Sequence, residues 1–148
     1  MEKPVIISIR GVQCSAPGEE DVMELVTQGF LCDEKDGYTL TYRESELTGL
    51  EGTTTTFRIG KDKITLRREG TLNSEMVFQE GLKHVSLYAT PYGGLMLGVN
   101  TRKARSDIDL TGGKLEIRYA LEVENEKIGE NSFDIQVREP ETARAAQI

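Results

Sequence analysis

Glu44 and Arg68 are two charged side chains that the sequence aims at a protein interior. Glu44 lies two residues beyond Tyr42 in one alternating segment, and Arg68 lies two residues beyond Leu66 in another. Because a strand projects successive side chains to opposite faces, each charge shares a face with residues that should be buried. A buried charge without a partner is very unfavourable, so we predict that the two side chains pair with each other or with a polar ligand.

Tyrosine and threonine hydroxyls on the same faces could complete a binding site around this pair. The full predicted set of ligand-binding candidates is Tyr38, Tyr42, Glu44, Arg68, Tyr88, Thr90 and Tyr119. Guanidinium and hydroxyl donors suit a small polar or anionic molecule. The alternative is structural: an ion pair and hydroxyls that cap one end of the core without a ligand.

Other catalytic equipment is scarce in this chain. It has one histidine, His84, and two cysteines, Cys14 and Cys32, which form no CxxC pair. The sequence contains no Gly-x-Ser-x-Gly elbow, phosphate-binding glycine loop or dinucleotide fingerprint. We therefore assign no catalytic residue, no metal ligand and no cofactor, and we do not predict an enzyme. Acid–base work by Glu44 with tyrosine hydroxyls is the remaining enzymatic alternative.

The elements that must position these side chains are β-strands. In residues 112–124 five apolar side chains alternate with charged ones, which predicts a long antiparallel strand with one dry face. Similar patterns predict strands over residues 5–12, 22–32, 38–44, 53–59, 63–68, 72–79, 83–90, 95–101 and 132–138. Residues 13–21 and 102–107 are polar and are predicted to be loops.

Short, evenly spaced strands without long crossovers favour a meander of antiparallel hairpins. A flat sheet of about eight to ten strands would leave exposed edges, so we predict closure into a single up-and-down β-barrel, with a β-sandwich as the alternative. The barrel domain is predicted to span residues 1–138, and residues 139–148 to form a mobile tail.

Several short motifs, in order along the chain, resemble the YwiB-like family of small uncharacterised bacterial proteins. They are Tyr38-x-Leu40-x-Tyr42-x-Glu44, Leu66-x-Arg68-x-Gly70, Phe78-x-x-Gly81, Tyr88-x-Thr90-Pro91-Tyr92-Gly93 and Gly112-Gly113-x-Leu115-x-Ile117-x-Tyr119-x-Leu121. The resemblance implies a calycin-type, lipocalin-like barrel of antiparallel strands, with no established activity or ligand. The chain has no tryptophan, so it lacks the Gly-x-Trp signature of secreted lipocalins.

Charge and hydropathy limit the partners. The formal net charge of −7 disfavours DNA, and no segment approaches the about 20 apolar residues that a membrane helix needs. With no secretory pattern at the start and two cysteines, we predict a reduced, cytoplasmic protein, with a Cys14–Cys32 disulfide as the alternative.

We therefore predict a non-enzymatic cytoplasmic module that binds a small polar or anionic molecule in the barrel mouth. One alternative is a structural or interaction module that uses an outer face or a homodimer interface. Another is a weak RNA-associated module, based on two clusters of basic residues: Lys61, Lys63, Arg67 and Arg68, and then Arg102, Lys103 and Arg105.

Overall fold

Ten antiparallel β-strands make up the described part of the protein in a computed structural model. The structure describes residues 2–16, 18–45, 50–70, 73–90 and 93–140, with the backbone alone for residues 16 and 87–90. The strands are β1 (Glu2–Ala16), β2 (Glu19–Glu34), β3 (Gly37–Arg43), β4 (Thr53–Gly60), β5 (Ile64–Gly70), β6 (Ser74–Phe78), β7 (Lys83–Thr90), β8 (Gly93–Asp109), β9 (Gly112–Val123) and β10 (Glu126–Arg138).

All ten strands belong to one sheet, in the order β6-β5-β4-β3-β2-β1-β10-β9-β8-β7. Apart from β6 and β7, strands that follow one another in the chain pair with each other, and β1 pairs with β10 from Ile6 opposite Arg138 to Cys14 opposite Glu130. This long-range ladder bends the meander into a nearly closed barrel. The predicted up-and-down β-barrel is therefore confirmed, and the described strands form one sheet rather than the two packed sheets of the sandwich alternative.

The two ends of the sheet, β6 and β7, meet along a seam. No backbone ladder joins them within the described residues, although they follow one another in the chain. Side chains bridge the seam instead: Ser86 Oγ donates to the carbonyl oxygen of Glu75 over 3.1 Å. His84 Nε2 lies 3.0 Å from Gln79 Oε1 close by. The lone histidine therefore links the seam and lies outside the barrel mouth.

The core fills the barrel with the inward-facing side chains of alternate positions. In β9, Leu115, Ile117 and Tyr119 are buried, as the pattern of residues 112–124 predicts. The largest fully buried side chains elsewhere come from both halves of the chain and include Phe57, Phe78, Ile7, Leu31, Leu40, Leu66 and Ile135. Close packing of these apolar side chains provides the main stabilising free energy.

Two predicted loops are parts of strands. Residues 13–21 lie mostly in β1 and β2, which pair as far as Ala16 opposite Glu19. Residues 102–107 continue β8 beside β9, past an irregularity between Thr101 and Lys103. The polar residues misled the prediction for two different reasons. Residues 13–21 lie at strand ends beyond the core, whereas residues 102–107 lie beside the buried part of β9 and turn only small side chains such as Ala104 towards the core.

The cysteine alternative is ruled out by strand register. Cys14 lies opposite Glu20, whereas Cys32 lies opposite Glu2, twelve residues further along β2 than Glu20. At the rise of an extended strand this separation is about 40 Å, far beyond the about 7 Å that a disulfide can bridge. Within the described residues, no helix is long and apolar enough to cross a membrane.

Core packing gives a first prediction. Ile117 is fully buried, so Ile117→Ala should lower the free energy of unfolding by about 2–5 kcal/mol, because it removes buried methylenes and leaves a cavity. Val26, which is 63% exposed, provides the control, and Val26→Ala should change the stability by less than about 0.5 kcal/mol. Urea denaturation measures both. Equal effects of the two substitutions would contradict the burial pattern.

Candidate functional site

Three neighbouring strands place one row of polar side chains inside the barrel. Tyr42 on β3 lies opposite Thr55 on β4, and Thr55 lies opposite Arg68 on β5. Residues that face each other across a ladder share one face of the sheet, and here that face is the interior. Tyr42 and Thr55 are buried, and the side chain of Arg68 is 20% exposed. We refer to Tyr42, Thr55 and Arg68 as the Arg68 row.

Glu44 follows the end of β3 directly and lies two residues beyond Tyr42 of this row. Its backbone N–H donates to the carbonyl oxygen of Thr53 over 2.8 Å, so the backbone keeps the strand geometry that points its side chain inward. Only 2% of that side chain is exposed. Its Oε2 accepts a hydrogen bond from Thr55 Oγ1, and the Tyr42 hydroxyl lies close enough for the carboxylate to raise the pKa of Tyr42. The carboxylate therefore has hydroxyl partners on the barrel wall.

The guanidinium of Arg68 is less well satisfied. Its Nε lies 3.9 Å from Glu44 Oε2, which is ion-pair distance but too long for a hydrogen bond. Among the described residues, Arg68 Nε and Thr101 Oγ1 are the buried side-chain polar atoms without a hydrogen-bond partner. A buried donor that is left unpaired is unfavourable by about 1–3 kcal/mol, so an acceptor that reaches Arg68 would be stabilised there.

A second polar row comes from the other half of the chain. Thr101 on β8 lies opposite Tyr119 on β9, which lies opposite Asn131 on β10. Asn131 Nδ2 donates to the hydroxyl oxygen of Tyr119 over 3.3 Å. The Tyr119 ring packs between Phe78 and Phe133, with ring centroids 4.9 and 6.2 Å away. Aromatic packing therefore fixes the position of this hydroxyl. We refer to Thr101, Tyr119 and Asn131 as the Tyr119 row.

A cavity of about 360 Å³ is lined by members of both rows at the barrel mouth. Its polar lining consists of Tyr42, Glu44, Arg68, Tyr119 and Asn131 together with Gln13, Asp21 and Ser132, and its apolar lining includes Ile9, Met23, Leu50 and Phe133. A concave site with a few convergent polar groups and apolar walls is typical of small-molecule binding. Within the described residues, no cluster of histidine, cysteine and acidic side chains is placed to hold a metal.

Burial also sets the protonation of the two tyrosines. The pKa of Tyr42 is raised well above its ordinary value, mainly by burial and then by the carboxylate of Glu44, whereas Arg68 opposes the rise. Burial likewise raises the pKa of Tyr119, against the hydrogen bond from Asn131 and the charge of Arg68. Both hydroxyls therefore keep their protons at neutral pH and can act as donors.

Four of the predicted candidates meet in this cavity: Tyr42, Glu44, Arg68 and Tyr119. Tyr38 does not join them, because it lies opposite Ile59 near the other end of β3 and lines a separate depression. Tyr88 and Thr90 are in β7, and their side chains lie outside the part of the chain that the structure describes.

Sequence reasoning missed Thr55, Thr101 and Asn131. Thr55 and Thr101 have the parity of buried neighbours, Phe57 and Val99, and this shared parity was the available signal. Asn131 belongs to a stretch that looks like a turn but forms part of β10. These residues reach the site because their strands pair in a particular register. The residue pattern within a single strand does not predict that register.

The basic residues that suggested RNA binding are largely paired with carboxylates. Arg102 binds Glu130 over 2.8 Å, and Lys103 lies 2.6 Å from Glu116. Hydrogen bonds from Arg102 and then Lys127 lower the pKa of Glu130 to about 2. On the other basic hairpin, Arg67 lies 2.7 Å from Glu69. These contacts reduce the positive field that an RNA backbone would require.

Comparisons with known proteins agree with the fold. A family model described as a domain of unknown function, DUF1934, matches residues 7–135. The "Uncharacterized beta-barrel protein YwiB" of Bacillus subtilis (strain 168) is 25% identical over 126 residues, which cover 85% of this chain and 87% of that protein. The crystal structure of the ywiB protein from Bacillus subtilis superposes with a TM-score of 0.77 at 22% identity, covering 94% of this chain and 93% of the other.

The hydrogen bond to Glu44 gives a second prediction. Thr55→Val should lower the free energy of unfolding by about 1–3 kcal/mol, because it removes a donor from a buried carboxylate and keeps the side-chain shape. Thr54→Val, at the neighbouring outward-facing position, is the control and should change the stability by less than about 0.5 kcal/mol. Chemical denaturation of both variants at neutral pH tests the difference.

The raised pKa of Tyr42 gives a third prediction. The folded protein holds the Tyr42 proton more tightly than the unfolded chain does, so stability should fall as the pH rises above the ordinary tyrosine pKa. In Tyr42→Phe this contribution is absent, so the decline should be shallower. Urea denaturation from about pH 8 to about pH 11 measures the slope. An equally steep decline in the variant would contradict the assignment.

Proposed function

The chain belongs to the DUF1934 family, and we propose that it is a non-enzymatic module which binds a small polar or anionic molecule in the mouth of its β-barrel. The observation that carries this proposal is the buried Nε of Arg68, which has no hydrogen-bond partner among the described residues and belongs to a cavity-lining side chain. An acceptor group on a ligand would satisfy this donor.

Three further features support the proposal. The cavity of about 360 Å³ lies within the range of about 300–1,000 Å³ that is usual for small-molecule sites. Polar side chains from the two halves of the chain converge on it, whereas aromatic packing occupies the adjoining core. The hydroxyl partners of Glu44 hold a charged group in place before any ligand arrives, which reduces the ordering that binding would require. We assign this role to the cytoplasm, as the sequence predicts.

The outer-face alternative rests on three apolar side chains of β2. Val22, Val26 and Phe30 are exposed by 48, 63 and 48%, and they alternate with polar residues on the outward face of the strand. A homodimer formed through this face would appear as a species of twice the chain mass, so one measurement reports on both functions.

Native mass spectrometry of the protein purified from its own host tests the proposal. We expect the wild-type protein to retain a small-molecule adduct, and we expect folded Arg68→Met to lose it, because the substitution removes the guanidinium and keeps an apolar chain of similar length. Arg67→Met is the matched control, since Arg67 is the neighbouring residue, has a largely exposed side chain and pairs with Glu69.

Circular dichroism checks that each variant is folded. A wild-type protein without any adduct would contradict the binding function, as would an adduct that folded Arg68→Met retains. A mass of two chains without an adduct would favour the homodimer.

A further inference from the structure

We propose that the barrel mouth selects small monocarboxylates and discriminates against amines, neutral amides and dicarboxylates. This inference rests on the proposed binding function and specifies its ligand. It follows from two kinds of observation. Some hydrogen-bonding groups that line the cavity already have partners within the protein and others do not, and acidic side chains lie in the same lining.

The groups that are not engaged are donors. Arg68 Nε has no hydrogen-bond partner among the described residues, and its guanidinium is the more exposed member of the ion pair with Glu44. The hydroxyl oxygen of Tyr119 accepts a hydrogen bond from Asn131, which leaves its own proton to be donated. Two donors that line one cavity favour a ligand oxygen that carries negative charge.

The strongest acceptor of the site is already engaged. Thr55 Oγ1 donates to the carboxylate of Glu44, the Tyr42 hydroxyl lies beside that carboxylate, and only 2% of the Glu44 side chain is exposed. Because so little of Glu44 is exposed, a ligand amine has little access to its carboxylate, whereas the side chain of Arg68 is 20% exposed and lines the cavity. A neutral amide offers Arg68 only one acceptor oxygen, which is weaker than a carboxylate oxygen, and it carries no negative charge to match the guanidinium.

The fixed negative charges limit the ligand to one carboxylate. The ion pair with Glu44, at 3.9 Å and without a hydrogen bond, offsets only part of the guanidinium charge, which leaves Arg68 able to attract one ligand carboxylate. Asp21 is a second acidic residue in the lining of the same cavity. A second carboxylate on the ligand would face these like charges in a partly desolvated site, where repulsion is stronger than in water.

The remaining walls are suited to an apolar body. Ile9, Met23, Leu50 and Phe133 line the cavity beside the polar groups. A ligand with a carboxylate at one end and a compact apolar ring or chain at the other would match both parts of this lining. Benzoate is the simplest soluble probe with these properties.

A set of matched probes tests the inference: benzoate, benzamide, benzylamine and phthalate, measured by isothermal titration calorimetry against the folded protein freed of bound ligand. We expect benzoate to bind wild type and Arg67→Met alike, and to bind Arg68→Met at least about tenfold more weakly, since a hydrogen-bonded charge contact is lost. Benzamide, benzylamine and phthalate should bind wild type at least about tenfold more weakly than benzoate.

Glu44→Gln provides the complementary variant, because it removes one fixed negative charge and keeps the side-chain size. We expect this variant to have a smaller ratio of the phthalate Kd to the benzoate Kd than the wild-type protein. An unchanged preference would overturn the role assigned to Glu44. A second variant, Tyr119→Phe, should weaken benzoate binding and keep the order of the four probes.

The outcomes separate this inference from the proposed function. Equal binding of benzoate and benzamide, benzoate binding that is undiminished in Arg68→Met, or no binding of benzoate would each overturn the monocarboxylate inference. If the wild-type protein still carries a native adduct that Arg68→Met loses, the binding function stands while its proposed ligand class falls. If no native adduct is found either, both fail.

Discussion

The ladder between β1 and β10 is the interaction on which the rest of the structure depends. It joins residues 6–14 to residues 130–138 and so unites two halves of the sheet, β1–β6 and β7–β10. The Arg68 row belongs to the first half and the Tyr119 row to the second. Without this ladder the two rows would not share an interior, and no cavity with donors on both sides would form.

Burial then divides the barrel interior into two chemical regions. Around Phe57, Phe78 and Phe133 the side chains pack as an aromatic core and provide stability without polar contacts. At the mouth, hydroxyls satisfy Glu44, while Arg68 keeps a buried donor without a partner. A protein selected for stability alone would more often pair such a donor or replace it with an apolar side chain. The unpaired donor is therefore the observation on which the proposal of a binding role rests.

The fold could be predicted from the sequence because alternation is a local signal. The inward parity of Leu115, Ile117 and Tyr119 follows directly from residue order, and so do the inward positions of Glu44 and Arg68. Register between distant strands is not local. No pattern within residues 126–138 indicates that Asn131 lies opposite Tyr119, and none within residues 53–60 indicates that Thr55 supports Glu44. The sequence therefore predicted the charged side chains and the tyrosine hydroxyls of the candidate site, but not Thr55, Thr101 and Asn131, which strand register brings beside them.

The seam between β6 and β7 has a consequence for the order of the chain. Residues 79–82 connect two strands that share no ladder in the described structure, whereas the two ends of the barrel domain are held together by the 2.9 Å contact between Lys3 and Glu139. A circularly permuted protein that began at β7 and ended at β6, with its original ends joined, would keep every strand pair of the sheet. The strand order of the described sheet therefore does not require a peptide connection at the seam. A cut there must leave Gly81 and Leu82 attached to β7, because both hydrogen-bond through their backbones to Thr101 of β8.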